Sequence, residues 1–428
     1  MNAVFLAAVL IAFVVAGYRQ VTEIPVAGTS APMDALGLAM IDAAKGSVEL
    51  AIGLVGVMAL FLGLMKVAEA GGLLAIIART VRPLMVRLFP DVPADHPAMG
   101  AMILNISANV LGLGNAATPF GIRAMQELDR LNPHKGTATN AMVMFLAINT
   151  SSVTLLPTGV IALRASAGSM DPAGILPTTL FATICSTTVA IIAVKLYQRF
   201  TVVPEAIADS SDTAETVTSD ADLSEEPSAP YPLWVSMLVL VAVAAFVPVT
   251  ILYGRDIAPW IIPGLMVALL GFGALRGVPV YESFVEGAKE GFNVALRIIP
   301  YLVAILVAVG MLRQSGALEL LITPLGAVTG AFGLPPEALP MALLRPLSGS
   351  GAYGIMASII SDPATGPDTY VGYLVTTLQG STETTFYVLA VYFGAVQIRR
   401  IRHALAAALT ADIAGIVAAV AITAYLFG

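Results

Sequence analysis

The sequence predicts an all-α polytopic membrane protein with an inverted-repeat fold that includes two re-entrant helical hairpins. Three observations carry that prediction. Hydrophobic residues make up 57% of the chain and charged residues 11%, with a mean hydropathy of +0.87, whereas soluble domains carry about 25% charge. Two stretches inside apolar surroundings, Asn105–Pro119 (NISANVLGLGNAATP) and Arg345–Gly354 (RPLSGSGAYG), are interrupted by Asn, Gly, Ser and Pro. Matched features also recur in one order on either side of an acidic segment.

A lipid-facing helix does not tolerate such polar stretches. Each unsatisfied amide or backbone group in hydrocarbon costs on the order of a few kcal/mol, so irregular backbone persists there only inside protein or along a wet cavity. Two interrupted segments in corresponding positions of two halves point to a transporter's substrate site.

Taken in order, Ala3–Gly17 is a short first span. No basic residues precede it as a signal peptide requires. Val21–Ser47 is mixed and polar, and Val48–Met65 is a second span. Gly71–Pro90, the turn Asp91–Pro97 and Ala98–Gly121 make the first hairpin, followed by an amphipathic interfacial helix at Ile122–Leu131. Asn140–Leu163 and Ile175–Leu196 are further spans. Residues 200–230 are acidic and rich in Ser, Thr, Ala and Pro, which marks a flexible cytoplasmic linker. Beyond it, Pro232–Tyr253 and Ile257–Leu275 form a tight pair joined by Gly254-Arg255-Asp256. An amphipathic stretch to Glu290, a span Phe292–Leu312, a hairpin Ala317–Ile360 turning at Gly333–Pro336, and spans Tyr370–Val396 and Ala404–Phe427 complete the chain. The predicted organisation is a first membrane half at 1–199 (hairpin about 72–121), the linker at 200–230, and a second half at 231–428 (hairpin about 317–361).

The halves align piece by piece: Ala44-Lys45 with Ala288-Lys289, Ala70–Leu73 with Ser315–Leu318, and Thr150–Thr154 with Ser381–Thr385. Such ordered matches indicate duplication. An odd number of crossings between the copies makes them inverted. It assigns fifteen Lys and Arg to one side and six to the other, which places the N-terminus and linker in the cytoplasm and the C-terminus outside. The expected location is the bacterial cytoplasmic (inner) membrane.

Several function classes are disfavoured. No basic domain suggests nucleic acid. The net charge of -7 is concentrated in eight acids of the linker, leaving the membrane body near neutral. One cysteine and three scattered histidines provide no metal-site spacing, and no GxxxxGK[ST] loop supports a primary pump. Gly349-Ser350-Gly351 is similar to the serine loop of rhomboid proteases. The only downstream histidine, His403, lies beside Arg399, Arg400 and Arg402 at an interface, so no enzyme is expected.

The first half, through MGAMILNISANVLGLGNAATPFGIRAMQELDRLNP and LAINTSSVTLLPTGVIALR, resembles spore maturation protein A. The second, through VPVYESFVEGAKEGFNVALRIIPYLVA, RPLSGSGAYGI and GSTETTFYVLAVYFGAVQIRRIRHAL, resembles spore maturation protein B. The resemblance covers nearly the whole chain apart from the linker. It extends to the nucleoside-recognition or Gate group, which is similar to gate regions of ferrous-iron transporters and to concentrative nucleoside transporters. It implies transport through an inverted-repeat fold without fixing a substrate.

The candidate substrate-binding residues follow from the polar stretches. The first hairpin contributes Asn105, Asn109, Asn115 and Thr118, whose amides and hydroxyl suit a neutral polar ligand; helix cross-linking is the plainer reading of Asn105 and Asn109. Asn149, Thr150, Ser151 and Ser152, with Ser381, Thr382, Glu383 and Thr384, read as breaks in two related helices. Half-helix N-termini there face a cavity, the plainer reading being interhelical hydrogen bonding. The second hairpin adds Arg345, Ser348 and Ser350. Arg345 and Glu383 are ionisable groups at membrane depth; they either pair structurally or meet an anionic solute and a coupling proton. Lys289 and Arg297 are interfacial anchors. The expected activity is secondary transport of a small polar or anionic organic solute, nucleoside-like or a small carboxylate, by a homo-oligomer in the lipid bilayer. No cofactor is expected, and H⁺ or Na⁺ is the coupling ion. The alternative is a non-transporting gate or scaffold that regulates a partner.

Overall fold

The computed structural model describes residues 2–22, 31–112, 114–201 and 231–428. The acidic segment 202–230 lies outside the described residues. Helices α1 (Asn2–Thr22) and α2 (Pro32–Ala70) are followed by α3 (Leu73–Leu88), α4 (Pro97–Val110) and α5 (Gly114–Arg130). Then come α6 (Asn140–Thr150), α7 (Thr158–Ser166) and α8 (Leu176–Tyr197). The second half supplies α9 (Leu233–Leu275), α10 (Val280–Ser315), α11 (Ala317–Thr329), α12 (Leu339–Leu344) and α13 (Gly349–Ser361). It ends with α14 (Tyr370–Ser381), α15 (Thr385–Gly394) and α16 (Ala404–Phe427). Four helices among the described residues, α1, α2, α8 and α16, are long and apolar enough to cross a membrane. The chain is a multi-pass membrane protein.

Several boundaries differ from the sequence-based expectation. The polar residues from Pro32 to Ser47 are helical and continuous with the predicted span, so α2 runs 39 residues. Pro32 opens it at a position where a missing N–H costs nothing. The expected boundary between an amphipathic stretch and a span near Glu290 is absent, because α10 runs unbroken for 36 residues. The chain turns between α3 and α4 at Asp91–Pro97, the expected hairpin turn, and breaks again at 111–112 inside the polar stretch 105–119. The helix expected to begin at Ile122 is the end of α5.

Element α9 is helical across Gly254-Arg255-Asp256, yet it cannot be straight. Its start is held by Tyr231 N–H donating to Arg79 O at 3.4 Å, and near its end Phe272 packs on Gly71. Forty-three helical residues would extend about 64 Å, while residues 71 and 79 are separated by at most about 29 Å of chain. The element therefore turns back between its ends.

Glycines set the packing of the longest pair. A Cβ on Gly291 of α10 would lie 2.7 Å from the backbone of Ala59, and one on Gly310 would lie 3.3 Å from Ala43, both on α2. Numbers rise along α10 as they fall along α2, so the two run antiparallel at the close approach that small residues permit. Helices α8 and α16 are antiparallel too: Ser186 Oγ donates to Ala411 O at 2.9 Å, and Thr201, just past α8, meets His403, just before α16.

The halves interlock. One core joins α4, α5 and α6 of the first half to Val388, Leu389, Tyr392 and Phe393 of α15. The other joins α12, α13 and α14 to Val160, Ile161, Ala162 and Leu163 of α7. Two arginines clamp the ends reciprocally. Arg164 of α7, fully buried, donates to Pro367 O at 2.6 Å and pairs with Asp368 at 3.1 Å, just before α14. Arg402, just before α16, donates to Ala138 O at 3.1 Å and to Asn140 Oδ1 at 2.9 Å, at the start of α6. Each of those helices begins on a threonine cap: Thr139 Oγ1 accepts from Met142 N–H, and Thr369 Oγ1 from Gly372 N–H.

Candidate functional site

The first half of the site is built where α4 gives way to α5 and α6 to α7. Gly112 adopts φ +77°, and a Cβ there would fall 2.3 Å from Leu156 O. Only glycine fits that turn. Leu155 N–H donates to Val110 O at 2.9 Å, which ties the α6–α7 break to the hairpin break. Side chains reinforce the junction. Asn109 Nδ2 donates to Asn149 Oδ1 at 2.9 Å, and Tyr392 Oη donates to the same oxygen at 3.3 Å. Asn105 Nδ2 donates to Ala117 O at 2.7 Å and to Tyr392 Oη at 3.1 Å.

The second half is built where α12 gives way to α13 and α14 to α15. Arg345, 5% exposed, donates to Thr384 Oγ1 at 3.1 Å and to Thr382 O, and its guanidinium lies 3.5 Å from the Glu383 carboxylate. Phe386 N–H donates to Pro346 O at 3.1 Å. Ser348 caps α13 by accepting from Gly351 N–H at 3.0 Å. A Cβ on Gly349 would lie 2.8 Å from Thr384 Oγ1, so glycine brings the hairpin against the break. The two breaks then meet directly, because Glu383 N–H donates to Thr150 O at 2.9 Å.

Between these pieces lies a cavity of about 260 Å³. Asn109 and Gly112 from the first hairpin, Thr154 and Leu156–Val160 from the first break and the start of α7, Arg345 and Gly349 from the second hairpin, and Gly380, Glu383 and Thr384 from the second break form its wall. Gln379 and Tyr353 complete it. Guanidinium, carboxylate, amide and hydroxyl groups beside Leu156, Val160 and the Tyr353 ring suit a small organic molecule with polar atoms. Among the described residues, no three His, Cys, Asp or Glu side chains gather as metal ligands.

The structure sorts the sequence candidates. Asn109, Arg345, Glu383 and Thr384 reach the cavity. Asn105 and Asn149 are buried: Asn105 donates to Ala117 O and leaves its Oδ1 without a partner, while Asn149 donates to Phe145 O of its own helix and accepts from Asn109. Thr150 and Ser151 donate to Ala147 O, and Ser381 to Leu378 O. These hydroxyls satisfy helix ends and do not line the cavity. Thr382 is buried and contributes its carbonyl to Arg345, and Ser348 serves as a cap. Ser152 is buried with its hydroxyl unpartnered. Ser350 is exposed, and Thr118 is half-buried on α5. The side chain of Asn115 lies outside the described residues, as does that of Arg297.

Three residues escaped the sequence reading. Gln379 lines the cavity with its amide oxygen buried and without a protein partner. Tyr392 ties α15 to α4 and α6. Asp412, 2% exposed on α16, accepts from Thr385 Oγ1 at 2.7 Å. Only Asp412 carried a visible signal, as an acid inside a 24-residue apolar helix.

Known proteins match the chain in two blocks. The family profile described as nucleoside recognition, Gate, matches residues 51–167 and 295–399. Spore maturation protein B of Bacillus subtilis (strain 168) is 47% identical over 167 residues, 39% of this chain and 93% of that protein. Spore maturation protein A of the same organism is 47% identical over 154 residues, 36% of this chain and 79% of that protein. Inner membrane protein YjiG of Escherichia coli (strain K12) is 33% identical over 94 residues, 22% of this chain and 61% of that protein. No solved structure matches. With both matched blocks falling on the hairpins and broken helices, and together covering just over half its length, the chain belongs to the nucleoside-recognition Gate family.

Proposed function

We propose that this protein is a secondary transporter of a small polar or anionic organic solute, nucleoside-like or a small carboxylate. The observation that carries this reading is the single cavity walled by two hairpin breaks and two helix breaks, one of each from each half. Broken helices around a midplane site are the arrangement by which transporters hold a solute between inverted repeats. Antiparallel packing of α2 with α10 and of α8 with α16 supports an inverted relation between the halves, with the hairpins at about 72–121 and about 317–361 as the re-entrant segments. In this reading the hairpins and broken helices move together against the longer spans. The linker is cytoplasmic and the C-terminus outside, in a homo-oligomer with no catalytic step. The family profile's description favours a nucleoside-like solute, and Arg345 favours an anionic group.

The test is thermal unfolding of purified protein against nucleosides, nucleobases and small carboxylates, followed by flux of each stabilising compound into liposomes that contain this protein alone. Stabilisation lost in Asn109→Ala and Gln379→Ala, with flux in liposomes, is the expected result. Stabilisation without flux would favour a gate that regulates a partner, and neither would overturn the solute site.

A further inference from the structure

Asp412 is buried to 2% exposure in a helix apolar enough to cross a membrane. Its Oδ2 accepts from Thr385 Oγ1, and its Oδ1 has no hydrogen-bond partner. A permanently charged carboxylate would be costly there, so an acid in this setting is a proton-relay candidate. Its place in the fold gives it something to control. Thr385 is the first residue of α15, a ten-residue helix whose positive N-terminal end attracts the carboxylate. From the cavity, Arg345 holds Thr382 O and Thr384 Oγ1 of the same turn. The turn Thr382–Thr385 is thus held by a cation at the cavity and an acid on α16. In the other half, α8 meets its break through a neutral group: the Thr187 hydroxyl donates to Ser151 O.

A bound metal cation would need several free oxygens. Among the described residues no group of three His, Cys, Asp or Glu side chains forms around Asp412, whose free acceptor is Oδ1. A proton needs no more than that. We propose that Asp412 is the proton-carrying group of this protein. When the turn opens to water in the cavity, the Oδ1–H bond breaks and the proton passes to that water. The carboxylate left behind is held by Thr385, the α15 N-terminus and Arg345. Reprotonation from water closes the cycle. The coupling role rests on the transporter reading above, whereas the protonation site does not.

Other groups that titrate or carry charge around α16 are few. Helix α8 has Cys185, Lys195 and Tyr197, α14 has Tyr370 and Tyr373, and α15 has Tyr387 and Tyr392. Helix α6 has none. Arg345 bears on the carboxyl electrostatically, Glu383 sits in the turn itself, and His403 precedes the helix.

Infrared titration in lipid nanodiscs, from about pH 5 to about pH 9, requires no solute. A protonated-carboxyl band that vanishes reversibly as pH rises is expected in the wild type and in Glu383→Gln, and is absent from Asp412→Asn. A titrating band retained in Asp412→Asn, or no such band in the wild type, overturns the assignment. Coupling is read from maleimide labelling of Ser350→Cys in a Cys185→Ser background. Reactivity should change with pH, and Asp412→Asn should abolish that change; the same pH dependence in both overturns the coupling. Should Asp412→Asn fail to fold, Thr385→Val removes only the hydrogen bond and should move the titration midpoint, and an unmoved midpoint counts against Asp412. If the band titrates but no solute flux is found, transport falls and the protonation site stands.

Discussion

Glu383 donates its backbone N–H to the carbonyl of Thr150 across 2.9 Å, and the two residues belong to helix breaks in different halves of the chain. A helix that stops at membrane depth strands its end groups, and no water is at hand to take them. Here the bond satisfies one end group from each break. Any movement that separates the breaks must replace this bond, so opening of the cavity requires entry of water or solute at the junction.

Asn149 should be the most stability-sensitive polar residue of the first break. Its Oδ1 accepts from both Asn109 and Tyr392, and its Nδ2 donates to Phe145 O at 2.9 Å. Asn149→Leu leaves two donors without an acceptor at a cost of about 1–3 kcal/mol. Tyr392→Phe should cost less, because Asn105 keeps its bond to Ala117 O. Thermal unfolding of the single and double variants should show non-additive losses, and simple additivity would count against a shared network.

Arg345 and Glu383 should respond unequally. The glutamate side chain is 49% exposed and the arginine 7%, so Glu383→Gln should change stability by less than about 1 kcal/mol. Arg345→Met removes bonds to Thr384 Oγ1 and Thr382 O and should cost about 1–3 kcal/mol. Loss of solute-dependent stabilisation in Glu383→Gln would make the carboxylate part of the site. A stable Arg345→Met/Glu383→Gln double variant that still transports would remove both residues from it.

Acid should destabilise the α16 entry. Burial, with Arg402 alongside, pushes His403 from its ordinary 6.5 down to about 4. Above 6.5 the ring is neutral in both folded and unfolded chains and adds no pH dependence. Between 6.5 and about 4 the unfolded chain takes up a proton that the folded one refuses, so stability falls with pH through that window and levels off below it. His403→Gln should flatten the fall in unfolding temperature, and an unchanged slope would count against this assignment.

The breaks were legible in the sequence because Asn, Gly, Ser and Thr have no lipid-facing use in runs as dense as 105–119 and 380–385. What each polar residue does was less legible. Thr150, Ser151 and Ser381 read like ligands, yet their hydroxyls turn back onto carbonyls three or four residues earlier, a direction fixed only once the helix end is known. Gln379 and Tyr392 were invisible for the converse reason: their roles depend on which elements the breaks bring together. The continuous helices α2 and α10 were missed because polar residues signal loops in water, whereas a membrane helix loses more by opening than by carrying them.

Topology provides the last prediction. Antiparallel packing of α2 on α10, read from Gly291 at Ala59 and Gly310 at Ala43, requires an odd number of crossings between the starts of these two helices if both span. Helix α2, the broken pair α6–α7 and α8 supply three when the first hairpin returns to its own side. Element α9 must then cross an even number of times, and its reversal between Arg79 and Gly71 meets that condition with two. The second half, with α10, the pair α14–α15 and α16, brings Gly428 to the side opposite the acidic segment. Basic residues favour the cytoplasmic face, so the prediction is residues 202–230 inside and Gly428 outside. In a Cys185→Ser background, an impermeant maleimide should label a cysteine at Gly428 in intact cells and label one at Ser219 only after lysis. Labelling of both in intact cells, or of neither, would mean that α9 crosses an odd number of times and that the repeats are not inverted.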